Sequence, residues 1–348
     1  MRIGFVRRGY SSTGGAERFL IRLAAAARQA GHETVLFASI QWPSHEWEGR
    51  QVLVPGRSPR HFSEEVLARY RGECDFLFSL ERIAECDVYR AGDGVHASWM
   101  QRRRAVEPRW KQWTRIFNGK HREILALEQA LFSPVGARMV IANSEMVKRE
   151  IVAYYGYRPD QVRVVYNGLP LERQLSEAEA AEERRRIRAG LGIPEQEYVV
   201  LFVGSGWERK GLRFAVNAMG GLPEPTTLLV VGRGSRRSLK ASDRVHYVGA
   251  VTGERAVQAY YAAADAFILP TLYDPFSNAC LEALAAGLPV ITTIANGFAE
   301  ILDPGVNGEV VVDPTDVSQL VRAIEAWRDP ARRAAVRPAL RELAGRYT

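Results

Sequence analysis

Thirteen short runs of Val, Leu, Ile and Phe punctuate the chain, and most are separated by an amphipathic or polar stretch of helix length. They read RIGFV, ETVLFA, QVLVP, DFLFSL, DVYRAG, RMVIAN and RVVYN in the first half. YVVLFVG, TTLLVVG, RVHYVGA, AFILP, PVITT and GEVVV follow in the second. The apolar residues are mostly continuous rather than alternating, the pattern of strands covered on both faces. Between them, Ala16–Ala30 reads as a helix closed by Gly31, and Ser144–Tyr155 as one opened by an Asn143-Ser144 cap. Strands alternating with helices predict an α/β protein built from parallel, doubly wound, Rossmann-like sheets.

At 348 residues the chain exceeds one ordinary core, so two domains are expected. A break falls after VVYNGLP, where SEAEAAEERRRIRAG opens with a capping-box pattern, Ser176 and Glu179, and runs as a polar helix to Gly190. The boundary is expected near Gly168–Ser176, giving domains 1–170 and 171–348 that face a cleft. No apolar run reaches the length of a membrane span, and the first residues lack a signal-peptide core. Cys74, Cys86 and Cys280 show no metal-ligand spacing, which fits a reducing cytoplasm.

The formal charge of +7 is concentrated. Residues 101–123, QRRRAVEPRWKQWTRIFNGKHRE, hold eight Lys/Arg against two Glu. Trp99, Trp110, Trp113 and Phe117 are interleaved with these cations. That composition suits the headgroup region of an anionic membrane, or phosphates on an acceptor; a solvated helix whose aromatics pack on their own domain is the plain alternative.

In open α/β sheets, ligands sit beyond the carboxyl ends of strands, near helix N-termini. Three loops qualify. GYSSTGGAERF places Gly14 and Gly15 ahead of a helix, where the backbone could approach an anion or simply turn. GSGWERKGL, beginning at Gly204, fits neither a Walker loop nor a dinucleotide fingerprint. It leaves Arg209 and Lys210 at an expected helix N-terminus, unfavourable for cations unless an anion joins them; an exposed basic turn is the other reading. YDPFSNACLEALAAG places Asp274 before a helix capped by Ser277 or Asn278 and Glu282 about a turn inside it. The carboxylates could accept hydroxyl hydrogen bonds around bare N–H groups, or form an acidic helix start favoured by the dipole.

Together these segments resemble the GT-B-fold retaining glycosyltransferases of family 4. DPFSNACLE matches that family's Glu-x7-Glu signature with Asp in the first place, and Arg209-Lys210 match the pair that neutralises the donor diphosphate. VIANSE, VVYNGLP and the Gly14-Gly15 loop fall where the family has similar segments. Within the family the chain is similar to the heptose glucosyltransferases of the lipopolysaccharide core. DVYRAGDGVHASW occupies the place of a segment with a cleft aspartate, here Asp93, and GLPLER carries Arg173 in place of a donor-phosphate arginine.

The resemblance implies transfer of a sugar, glucose first, from a UDP-sugar to a lipopolysaccharide core or related glycan, with retention at the anomeric carbon. Arg209, Lys210 and Arg173, with amides near Asn278, Ala279 and Cys280, would stabilise charge on the departing diphosphate. The absence of an Asp-x-Asp pair suggests that these groups replace a divalent metal, so no cofactor is expected. Asp274 would hold donor hydroxyls and Glu282 the ribose, with Gly204 in the donor loop. Asp93 is assigned to the acceptor, with His96 as competitor. Cys280 reads as a packed residue whose backbone matters. The expected setting is the inner face of the membrane, contacted through 99–123. GDP-mannose or UDP-N-acetylglucosamine donors, a nucleotide-sugar epimerase, and a nucleic-acid-binding module using the basic-aromatic stripe are the rivals.

Overall fold

A computed structural model describes residues 1–11, 14–108, 119–169, 174–237 and 239–348. The chain divides into two compact units, Met1–Val165 and Tyr166–Thr348.

In the first unit β1 (Arg2–Val6), β2 (Glu33–Ala38), β3 (Arg50–Leu53), β4 (Phe76–Ser79), β5 (Cys86–Ala91), β6 (Ala137–Ala142) and β7 (Val162–Val164) form one sheet in the order 3-2-1-4-5-6-7. Every pairing is parallel. Its helices are α1 (Gly15–Gln29), α2 (Pro59–Glu73), α3 (His96–Val106), α4 (Gly119–Leu131) and α5 (Glu145–Tyr155). Ser144 caps α5 as expected, its Oγ accepting from the Val147 N–H, and Gly156 closes that helix at φ 62°. One core cluster joins Phe5, Leu36 and Phe78 of the sheet to Leu20 and Ala24 of α1 and to Trp42 and Trp47.

In the second unit β8 (Tyr198–Val203), β9 (Thr226–Val231), β10 (Val245–Gly249), β11 (Ala266–Leu269), β12 (Val290–Thr293) and β13 (Gly308–Val311) take the order 10-9-8-11-12-13, again all parallel. Its helices are α6 (Glu177–Leu191), α7 (Trp207–Lys210), α8 (Leu212–Ala218), α9 (Glu254–Ala263), α10 (Asn278–Ala285), α11 (Val317–Glu325) and α12 (Pro330–Gly345). β9 and β11 are buried at every residue, which explains why their runs are continuous rather than alternating. The capping box of Ser176 and Glu179 opens α6. At the amino ends of β8 and β11, Asp265 accepts from the Val199 N–H at 2.8 Å and from Arg188 at 2.7 Å.

The division falls a few residues before the expected 170/171. The reason is packing: the Tyr166 ring lies against Phe276 and Tyr347, and the Leu169 N–H donates to the Tyr347 carbonyl at 2.9 Å. The YNGL segment therefore belongs with the second unit.

Candidate active site

Both sheets reverse strand order once, between β1 and β4 and between β8 and β11. Such switch points open a crevice at the carboxyl ends of the strands. In the second unit the two loops bordering that crevice follow β8 and β11, and they carry GSGWERKG and YDPFSN.

After β8 the chain turns through Gly204 and Gly206 into the four-residue α7, then through Gly211 into α8. Arg209 and Lys210 thus occupy the last turn of a short helix rather than the first turn of a long one. This corrects the sequence expectation, because a left-handed Gly211 at φ 75° divides what reads as one helix. A Cβ there would fall 1.9 Å from the Pro270 carbonyl, so only glycine fits. The Arg209 carbonyl accepts from the Thr271 hydroxyl and the Leu272 N–H, both at 2.9 Å, tying the two loops together. The missing side chain of Gly204 leaves room for the Lys210 stem, whose Cδ lies 2.5 Å from where a Cβ would stand.

Lys210 Nζ donates to Asp274 Oδ2 at 3.1 Å. The two side chains are 16% and 7% exposed, so this ion pair is largely shielded from water. Asp274 is held by its main chain: its N–H donates to the Ala295 carbonyl, and its carbonyl accepts from Gly297. Asn296, fully buried, was not singled out from the sequence. Its Oδ1 accepts from the Ser277 and Phe298 N–H groups and its Nδ2 donates to Thr292, so it fixes the start of α10. Ser277 occupies the N-cap position without a side-chain cap bond, a correction to its expected role. The first-turn amides of Asn278, Ala279 and Cys280 have no acceptor within their own helix. The Asn278 carbonyl oxygen Oδ1 accepts from Asn167 at 2.7 Å.

Glu282 lies in the second turn of α10, half-buried, and accepts from the Tyr261 hydroxyl of α9 at 2.9 Å. Tyr261 is a further residue that sequence reading missed; burial and the Glu282 charge push its phenol well above its ordinary range. Burial pushes the Cys280 thiol up to about 12, so it stays neutral and packed, as its sequence reading has it.

In the first unit, Gly14 precedes α1 and Gly15 begins it. A Cβ on Gly14 would fall 1.8 Å from Glu17 Oε2, so the glycine makes room for that carboxylate. Glu17 and Glu81 clasp Arg7 at 2.9 and 3.0 Å. Asp93 follows β5 and is exposed, with Arg82 at 3.9 Å. Arg82 also donates to the Gly94 carbonyl at 2.8 Å and to Glu128 at 2.7 Å. Glu128, wholly buried on α4, further accepts from the His96 and Ala97 N–H groups and from the Tyr155 hydroxyl. It thereby caps α3 from another helix and fixes the Asp93–His96 turn. His96 Nε2 stands 3.0 Å from His121 Nδ1. Burial, then the Arg82 charge, lowers the His96 imidazole to about 4, leaving it neutral and weakly basic at physiological pH.

Arg173 lies outside the described residues, as do Trp110, Trp113 and Phe117 of the basic segment. Within its described part, Arg102 pairs with Glu150 at 3.0 Å and Arg103 with Glu107 at 2.8 Å. No helix of the described residues is long and apolar enough to cross a membrane.

Residues 13–173 match the family model Glycosyltransferase Family 4, and residues 197–329 match that of Glycosyl transferases group 1. The lipopolysaccharide glucosyltransferase WaaG of Escherichia coli K12 is 25% identical over 366 residues, covering 95% of this chain and 93% of that protein. The crystal structure of WaaG, a glycosyltransferase involved in lipopolysaccharide biosynthesis, superposes with a TM-score of 0.79 at 24% identity over 99% of this chain and 95% of that one. Anabaena HepE in complex with UDP-glucose superposes at 0.74 with 19% identity, over 100% and 95% of the two chains. Two all-parallel sheets, their order and the family matches over both halves lead to one conclusion: the chain belongs to the GT-B-fold glycosyltransferases of the family 4 and group 1 kind, enzymes that use nucleotide sugars.

Proposed function

We propose that the chain transfers a sugar, glucose first, from a UDP-sugar to a lipopolysaccharide core or related glycan, with retention and without a divalent metal. The observation that carries this reading is the shielded Lys210–Asp274 pair at the switch point, in the loop region that leads into α10, whose first-turn amides have no acceptor within their own helix. A fixed cation and helix N–H groups suit a departing diphosphate, because charge develops on its oxygens as the sugar–oxygen bond breaks. Arg209, half-buried next to Lys210, adds a second positive group. Asp274 and Glu282 would take sugar and ribose hydroxyls, and Arg173 a donor phosphate. The E. coli relative carries the name of a lipopolysaccharide glucosyltransferase, and HepE was solved with UDP-glucose, which supports a UDP-sugar donor.

In this reading the leaving phosphate oxygen accepts the acceptor proton on the same face, so no enzymic nucleophile is needed. Asp93 orients the acceptor hydroxyl. His96 ranks behind it, since an imidazole held at about 4 is a poor base and its Nε2 already faces His121. Contact with anionic lipid at the inner face of the membrane, through 99–123, completes the proposal.

The test combines four measurements. UDP should raise the melting temperature, because a ligand of the native state stabilises it. Turnover should survive EDTA, nuclear magnetic resonance of the product should show the donor's anomeric configuration, and mass spectrometry should identify the nucleotide sugar consumed. Inversion, or chelator-sensitive turnover, overturns the corresponding clause; consumption of GDP-mannose or UDP-N-acetylglucosamine instead reassigns the donor.

A further inference from the structure

The loop after β9, residues 232–240, reads GRGSRRSLK and carries Arg233, Arg236, Arg237 and Lys240. No Asp or Glu stands between Glu224 and Asp243. A run of cations is ordinarily a solvated face, but this one has a particular place. β9 is the sheet neighbour of β8, so its carboxyl-end loop adjoins the loop that holds Lys210. Two hydrogen bonds make the joint: the Gly206 N–H donates to the Arg233 carbonyl at 3.2 Å, and the Arg233 N–H donates to Ser205 Oγ at 3.3 Å. Gly234 packs so closely on Trp207 that a Cβ would fall 2.4 Å from the indole. The Arg236 guanidinium sits 4.0 Å from the centre of the Tyr247 ring.

Residues 233–236 are therefore anchored, while Arg233, Arg236, Arg237 and Lys240 remain exposed. Among the described residues, no carboxylate pairs with Arg233, Arg237 or Lys240. Like charges gathered in one loop repel one another and raise a positive potential beside the neighbouring crevice. A loop hydrogen-bonded to the Lys210 loop acts within about one Debye length of it, ~10 Å at 0.1 M salt.

We propose that this loop is a phosphate-collecting arm of the nucleotide site, drawing a diphosphate towards Lys210 and Arg209 by long-range attraction. The inference rests on reading the second unit as the donor site. It assigns the four cations an electrostatic task and predicts indifference to a nucleoside that lacks phosphates.

The experiment is calorimetric titration of the full chain with UDP and with uridine, between about 0.02 M and about 0.5 M salt. The variant is Arg233→Gln/Arg237→Gln/Lys240→Gln, which alters only exposed side chains and leaves Arg236 on its ring. UDP binding should weaken about ten-fold at low salt, converge with wild type at high salt, and show a shallower salt dependence. Uridine affinity should not move. The proposal is overturned if UDP affinity and its salt slope are unchanged while Lys210→Ala still weakens UDP. If Lys210→Ala also leaves UDP binding intact, the donor-site reading fails and takes this one with it.

Discussion

Lys210→Met tests stability and catalysis at one atom. The substitution keeps most of the stem beside Gly204 and removes the charge that faces Asp274 at 3.1 Å. The partner carboxylate is 7% exposed, so it would be left buried without its cation. Breaking a buried pair by removing one partner costs about 3–5 kcal/mol, and the lower end applies here because Lys210 keeps some solvent contact. For a unit of this size that lowers the melting temperature by about 6–12 °C. Activity should fall further, about 10²–10³-fold in kcat, the usual loss for one preorganised group facing a developing anion. The double variant Lys210→Met/Asp274→Asn separates the two effects: removing both charges should recover most of the stability and none of the turnover. Differential scanning calorimetry and a donor-consumption assay on the same preparations read both quantities. An active single variant, or a double variant that regains turnover, would refute the argument.

Other outcomes follow from the same geometry. The folded His96 pKa, about 4, lies below the ordinary 6.5, so the unfolded chain binds the proton first and stability is lost as pH falls through that interval. Between pH 7 and pH 5 His96 should cost about 2 kcal/mol, and His96→Gln should flatten the corresponding urea-denaturation profile. Tyr261→Phe frees Glu282 from its 2.9 Å hydrogen bond and should raise the donor KM several-fold with a smaller change in kcat, measured by steady-state kinetics. Gly211→Ala places a Cβ 1.9 Å from the Pro270 carbonyl at a left-handed φ; it should destabilise by at least ~2 kcal/mol and abolish the UDP-induced melting shift.

The strands were legible because burial on both faces writes itself as unbroken apolar runs, and the runs for β8, β9 and β11 coincide closely with the elements formed. The two loops at the switch point of the second unit were legible for another reason: charge beside glycine in a strand-to-helix turn is locally unusual. What escaped notice depends on distant partners. Glu128 reads as one more acid on an amphipathic helix until Arg82 and His96, 46 and 32 residues away, are brought to it. Tyr261 and Asn296 carry no local signal either, since their partners lie 21 and 19 residues off in sequence. The division of α7 from α8 was hidden because glycine permits a left-handed turn without demanding one.

The main-chain bridge between Asp274 and Asn296 has a mechanical corollary. Two neighbouring crests of the sheet are welded, so neither can swing alone. A substitution at Ala295 or Gly297, whose backbones grip Asp274, would be felt at the carboxylate without any side chain there meeting a ligand. Substitutions aimed at the Asp274 carboxylate should therefore treat 273–277 and 294–297 as a single inherited part.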